Sequence, residues 1–289
     1  MNKSESVDRK PVAAGRFYPA SKDTLINDVS SLFRNSKKTE SKFVTRAIIS
    51  PHAGYVYSGS IAASAFSAIP ENIIFKNIFL IGSSHSMSFN GASIYDSGDY
   101  LSPLGKFNVN RDIAKELKKG TKIFDFPDTS HINEHSLEVQ LPFIWFYFKK
   151  LPLLVPVIIG THDSGIVRKI AESLMPWFTR ENLFIISSDF SHYPPYREAI
   201  ENDRLVATSI LSGDPDEFLK TLKENSTKKI KGLATSMCGW TSGLTLMYLA
   251  EKDAKLKFQL VDYCNSGDSD YGGKDQVVGY HAIALIENE

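Results

Sequence analysis

Sulfur is scarce in this chain: Cys238 and Cys264 are its two cysteines in 289 residues. Two thiols cannot build the disulfide framework of a small secreted fold, so each reads as a free thiol or a ligand. Long apolar runs are missing too. None approaches the roughly 18 residues of a membrane span, and the N-terminal MNKSESVDRKPVAAGRFYP lacks the apolar core of a secretory signal. A cytoplasmic protein with no membrane partner is expected. Nor is there an excess of charge. Lys and Arg number 33 against 33 Asp and Glu, so no nucleic-acid partner is expected and a small-molecule or peptide ligand stays open. Walker, GxGxxG and GxSxG motifs are absent, which removes the main support for nucleotide-dependent chemistry and serine hydrolysis. No repeat, low-complexity tract or linker divides the chain. Residues 1–289 therefore read as one domain, with Ser36–Lys42 as a surface loop.

What the chain does have is apolar material, 42% of it, enough for a sizeable core. Short apolar runs bounded by turn residues predict strands near Arg46–Ser50, Asn77–Ile81, Ser93–Tyr95, Leu154–Ile159, Leu183–Ser187, Phe258–Cys264 and Val277–Ile286. Several are continuous Ile/Val/Leu/Phe runs, which points to a sheet covered on both faces. Helical patterns lie between them over 21–33, 58–68, 110–118, 135–148, 164–177, 196–212, 215–225 and 239–251. The fold class is α/β, a central sheet flanked by helices.

Four of the apolar strands run into polar loops at their carboxyl ends: SPHAGYVYSG into His52, NIFLIGSSHS into His85, LFIISSDFSH into Asp189 and His192, and LLVPVIIGTHD into His162 and Asp163. In open α/β sheets that edge is where ligands bind. One histidine at a strand end is most often a carbonyl cap, but four of the seven in the chain share this placement. Cys238 lies just before a predicted helix, whose N-terminus favours thiolate over thiol, although a free cysteine is most commonly a small buried hydrophobe. Cys264 has no such context and is assigned to packing. In HINEHSLEVQLPF, His135 and Glu138 are spaced to share a helical face. Glu134 and Glu138 read either as a cap carboxylate and a solvated face residue or, with His131, as outer-sphere partners and proton carriers. Two imidazoles with a thiolate or carboxylate suit a transition-metal ion, Fe(II), Cu or Zn.

The ordered set PVAAGRFYPA, SPHAGYVYSG, GSSHS, EHSLEVQLPF, SSDFSHY and CGW, spread over nearly the whole chain, resembles the Memo family. That resemblance implies a single domain with a mixed, largely parallel sheet like that of the class III extradiol dioxygenases. It implies metal ligation by His52, His85 and Cys238, with Fe(II) foremost and Cu or Zn as alternatives. Asp189 and His192 would line the pocket, His192 as acid/base, and His135 falls in a family motif as a further catalytic candidate. A cysteine in place of the dioxygenases' carboxylate makes the site softer, so ring cleavage does not carry across. His162 matches no family motif and is given a surface role. The family also implies a functional link to radical-SAM and AMMECR1-like proteins in microbes, and phosphotyrosine-peptide binding in animals. The expected function is a metal-dependent, dioxygenase-like oxidoreductase; a non-catalytic peptide or ligand module and a metal-dependent hydrolase are the alternatives. Tyr18, Tyr55, Tyr57, Tyr193 and Trp240 could line a pocket for a planar substrate, or simply pack the core.

Overall fold

The computed structural model describes residues 7–38, 43–71, 73–119 and 121–288. In chain order, helix α1 (Lys22–Asn35) precedes strand β1 (Val44–Ser50), helix α2 (Tyr55–Ser67) and strands β2 (Asn77–Ser83), β3 (Ala92–Ile94), β4 (Tyr100–Ser102) and β5 (Gly105–Phe107). Helices α3 (Arg111–Lys119), α4 (Thr129–Ile132) and α5 (Leu141–Tyr147) lead to β6 (Leu153–Ile159), α6 (Ser164–Leu174) and β7 (Asn182–Ser187). The chain continues through α7 (Tyr196–Leu211), α8 (Pro215–Thr227), α9 (Trp240–Ala250), β8 (Leu256–Asn265) and β9 (Gly279–Glu287). Part of the Ser36–Lys42 stretch lies outside the described residues.

Seven strands form one sheet in the order β3-β6-β2-β7-β1-β9-β8, and β4 and β5 make a separate hairpin that the sequence reading does not contain. Strands β6, β2, β7 and β1 run parallel: Leu80 lies opposite Pro156 on one side and Ile185 on the other, and Ile185 in turn opposite Ile48. Strands β3, β9 and β8 are antiparallel to their neighbours. The sheet is thus mixed and largely parallel.

The continuous apolar runs follow from burial on both sides. Along β2, Ile78 and Leu80 pack into a core with α1, α2 and α5, while Phe79 and Ile81 pack into a second core with α6 and α9. Strands β7 and β1 alternate in the same way, with Leu183, Ile185 and Ile48 on the first face and Phe184, Ile186, Ala47 and Ile49 on the second. Each of these Ile, Leu and Phe side chains contributes about 1.5–3 kcal/mol on full burial. Phe79 and Phe184 stack across the strands with ring centroids 4.5 Å apart.

The helix expected over 135–148 is shorter and starts later. Residues 135–137 are a turn, Glu138–Gln140 a single 3-10 turn, and α5 begins at Leu141 with Pro142 in its first turn. Proline has no N–H to give to a helix interior but fits the first turn, where that donor is idle. His135 and Glu138 therefore share no α-helical face. By contrast, the start of α8 matches its sequence: Asp214 caps it, accepting from the N–H groups of Asp216 and Glu217.

Because four strands are parallel, their carboxyl ends share one rim. Strand β7 lies between β2 and β1, so the segments after these three strands are neighbours. The segment after β6 is one strand further out. Among the described residues no helix is long and apolar enough to cross a membrane.

Candidate metal centre

His52 follows β1 and is buried, 1% exposed. Its backbone N–H donates to Asp189 Oδ1 at 2.8 Å and its ring Nδ1 lies 3.0 Å from Ser187 Oγ. That hydroxyl spends its one proton on Ser136 O, 2.7 Å away, and accepts from Gln140 Nε2 at 2.9 Å. Its remaining capacity is for accepting, so Nδ1 of His52 carries a proton and Nε2 is the nitrogen left to ligate. Nε2 faces Cys238 Sγ at 3.4 Å.

His85 follows β2 and is fixed the same way by a different acceptor. Its backbone N–H donates to Glu134 Oε2 at 2.8 Å and its Nδ1 donates to Oε1 at 2.9 Å. Burial alone would raise the Glu134 carboxyl, but the bonds and charge of His85 outweigh it and hold the group down to about 2. A carboxylate only accepts, so Nε2 of His85 is likewise the nitrogen left to ligate. Ser136 N–H completes the carboxylate at 3.0 Å.

Cys238 reaches the same place from the opposite direction, at the end of the segment before α9. Its N–H donates to Asp189 O at 3.2 Å, and Gly239 N–H donates to Ser188 Oγ at 2.9 Å. This docking on the end of β7 requires glycine at 239, since a Cβ there would lie 2.6 Å from Ser188 Cβ. Burial works against ionising the thiol, yet His52 beside it, and then His192 and His85, hold it well below the usual thiol range. Donor atoms of His52, His85 and Cys238 all lie within 4.8 Å of one another.

Donors bonded to one tetrahedral ion at about 2.0–2.3 Å lie about 3.3–3.6 Å from each other. The 3.4 Å between sulfur and His52 Nε2 matches that spacing. Two imidazole Nε2 atoms and a thiolate, each imidazole oriented through Nδ1, therefore fit a transition-metal ion, which displaces the Nε2 protons on binding.

Asp189 and His192, on the turn after β7, flank this set. Asp189 Oδ2 lies 4.0 Å from His52 Nε2 and 3.9 Å from His192 Nε2. Burial pushes the Asp189 carboxyl up, against the pull of His52. His192 Nε2 is buried without a hydrogen-bond partner among the described residues. The next residue, Tyr193, has φ 70°, so a left-handed backbone is held immediately beside it.

His135 stacks on Phe17 at 4.6 Å, with its ring centroid 4.9 Å from His85 and 5.3 Å from His52. Burial and then the positive neighbours His52 and His85 push it down to about 3. With Glu134 and His85 it forms a second compact donor group that shares one histidine with the first.

Other sequence candidates fall elsewhere. His162 is exposed and stacks on Trp240 at 6.0 Å, as its place beyond β2 dictates. His131 is sealed between Tyr100 and Ser93, and Cys264 packs against the first core. Glu138 is not a solvated face residue. It is buried, paired with Arg9, and accepts from Val12 N, Ala13 N and Tyr18 OH at 2.8, 2.8 and 2.5 Å. That clamp ties residues 9–18 to the loop that carries Glu134. Tyr55 donates to Val139 O at 2.8 Å within the same packing, so Tyr18 and Tyr55 are structural. Ser187, Gln140 and Arg9 went unread, because serine, glutamine and a lone arginine carry no periodic signal.

Known proteins agree with this architecture. A MEMO1 family protein of Thermoplasma volcanium is 34% identical over 277 residues, covering 95% of this chain and 97% of that protein. A second, from Thermoplasma acidophilum, is 33% identical over 279 residues, with 96% and 98% covered. The crystal structure of JW3007, an uncharacterized protein of Escherichia coli K12, superposes with a TM-score of 0.50 at 13% identity, covering 83% of this chain and 98% of that one, a likeness of fold alone. The family model described as Memo-like protein matches residues 9–284, and the chain belongs to that family.

Proposed function

We propose that the rim site binds one transition-metal ion, Fe(II) foremost with Cu or Zn as alternatives, through His52, His85 and Cys238, and that with iron or copper bound the protein oxidises a small molecule there. The observation that carries this is the convergence of two Nε2 atoms on one sulfur, each imidazole being held at Nδ1 by its own acceptor, Ser187 Oγ or Glu134 Oε1.

When bound, such an ion supplies Lewis acidity and an electron-transfer path to a substrate held beside it. The chain supplies the rest. Ser187 and Glu134 keep His52 and His85 in the tautomer that ligates. Because His192 Nε2 has no competing partner, it is free to take or return a substrate proton, and Asp189 at 3.9 Å stabilises the imidazolium that results. His135, kept neutral, can accept or donate a hydrogen bond without adding charge to the site.

Elemental analysis of protein prepared without oxygen tests the reading. About one ion per chain is expected, falling to none in the triple variant His52→Ala/His85→Ala/Cys238→Ala. Full retention of metal by that variant overturns the assignment. Turnover that persists without oxygen marks hydrolysis, and ligand binding that survives chelation marks a binding module.

A further inference from the structure

Behind the segment that delivers Cys238 there is a cavity of about 540 Å³. Its size falls within the roughly 300–1,000 Å³ common for small-molecule sites. The walls are apolar: Leu219 and Leu222 from α8, Leu233 and Met237 from the loop before α9, and Trp240 from α9 itself. Leu219, Leu222 and Trp240 are only partly covered, so the cavity opens to solvent.

The mouth has one sign of charge. Lys223 and Lys228 line it, and neither has an ion-pair partner among the described residues; the intervening Glu224 pairs with Lys220 at 3.9 Å instead. Lys228 Nζ donates to Asn225 Oδ1 at 3.0 Å. Asn225, 1% exposed and on the cavity wall, keeps its Nδ2 unpartnered. Apolar walls with ammonium groups and an idle amide donor at one end call for an apolar body with an anionic head.

One wall of this cavity also supports the rim site. Thr235 O accepts His192 N–H at 3.0 Å, and Ser236 Oγ bonds Asn202 Oδ1 at 3.0 Å. The adjacent Asp203 accepts Ser191 N–H at 2.9 Å, beside His192. Residues 235–237 are thus bonded to the turn bearing His192 on one side and run directly into Cys238 on the other. A body that fills the cavity bears on both.

We propose that this cavity is an effector site for an amphipathic carboxylate, and that its occupancy changes the affinity of the rim site for metal. The second half rests on the metal-binding function proposed above, while the first half does not.

Octanoate, octan-1-ol and inorganic phosphate are titrated calorimetrically into the metal-free, full-length protein. Octanoate should bind one site per chain at least tenfold more tightly than octan-1-ol, with no heat from phosphate. The double substitution Lys223→Glu/Lys228→Glu, at exposed positions, should weaken octanoate at least tenfold and leave octan-1-ol unchanged. Octanoate binding no tighter than octan-1-ol, or unmoved by the double substitution, overturns the site. Cobalt(II) affinity is then measured with and without saturating octanoate. A change of threefold or more is expected, mirrored in octanoate affinity with and without cobalt, as linkage demands. Equal affinities overturn the coupling. Failure of cobalt to bind at all strikes the metal reading and the coupling with it, and leaves the octanoate site standing, because the octanoate isotherm is recorded without metal.

Discussion

His52, His85 and His192 at the rim and His131 and His281 in the interior are the same side chain in two regions with opposite outcomes. His131 gives its Nε2 proton to Ser93 O at 3.1 Å and takes one from Tyr100 OH at Nδ1, 2.7 Å away; burial pushes it down to about 3. His281 sits between Phe190 and Tyr263, ring centroids 4.5 and 4.4 Å away, and burial pushes it down to about 4. Both behave as neutral packing rings. His85 is also desolvated, yet its pairing with Cys238 and with the Glu134 carboxylate that accepts from it overcomes this and lifts it to about 10; His52 is raised against burial by Asp189 and Cys238. Desolvation acts in both regions, although His85 is partly open to solvent. What separates them is whether acids share the burial, and that is what turns an imidazole into a member of a donor set.

The contrast breaks most visibly at the sulfur. Cys238→Ala should lower metal affinity by more than the roughly 10–100-fold that losing an outer hydrogen-bond partner costs, with the same thermal midpoint in the metal-free state, read by metal titration and melting curves. Glu134→Gln comes next. It leaves the three proposed ligands in place but weakens the grip on His85 Nδ1, and a loss of about 10–100-fold in metal affinity is expected. His131→Phe should do the reverse. Stability falls by about 1–3 kcal/mol in urea unfolding, because Tyr100 and Ser93 lose a buried partner, while metal affinity stays put. If His131→Phe weakens metal binding as strongly as Glu134→Gln, the two regions are not separate.

Acidity gives a finer comparison in the metal-free protein. For His131 and His281 the fold holds the neutral ring while the unfolded chain takes up protons from its ordinary 6.5 downward. Their contribution is complete above pH 6.5 and lost as pH falls toward 4 and 3. His85 has the opposite sign: its contribution is complete below pH 6.5 and lost as pH rises through 10. Urea midpoints followed across this range should fall on both limbs, and His131→Phe should flatten the acid limb alone. The smallest effect belongs to His162→Ala, with stability within about 0.5 kcal/mol and unchanged metal affinity, since the ring is exposed.

Much of this was legible because it is written in local patterns. The runs at β1, β2, β6 and β7 are apolar at every position since both faces are covered, and the polar residue that ends each run marks the rim. Which of those residues meet is not legible from local pattern, because it depends on strand order, with β7 between β2 and β1 and β6 outside them; the set His52, His85 and Cys238 comes from the family resemblance instead. His162 is thereby left out, although its local sequence resembles the others. Pro142 was a readable sign that the helix could not begin at His135. Glu138 was not readable, as its partner Arg9 lies 129 residues earlier and no periodicity spans that distance.

His52 and Cys238 are 186 residues apart in the chain. An ion gripping both would act as a removable staple closing most of the polypeptide into a loop, which restricts the unfolded ensemble in the manner of a crosslink. Chelation should then speed amide exchange deep in the sheet, at β1 and β7, as well as at the surface where the ion departs.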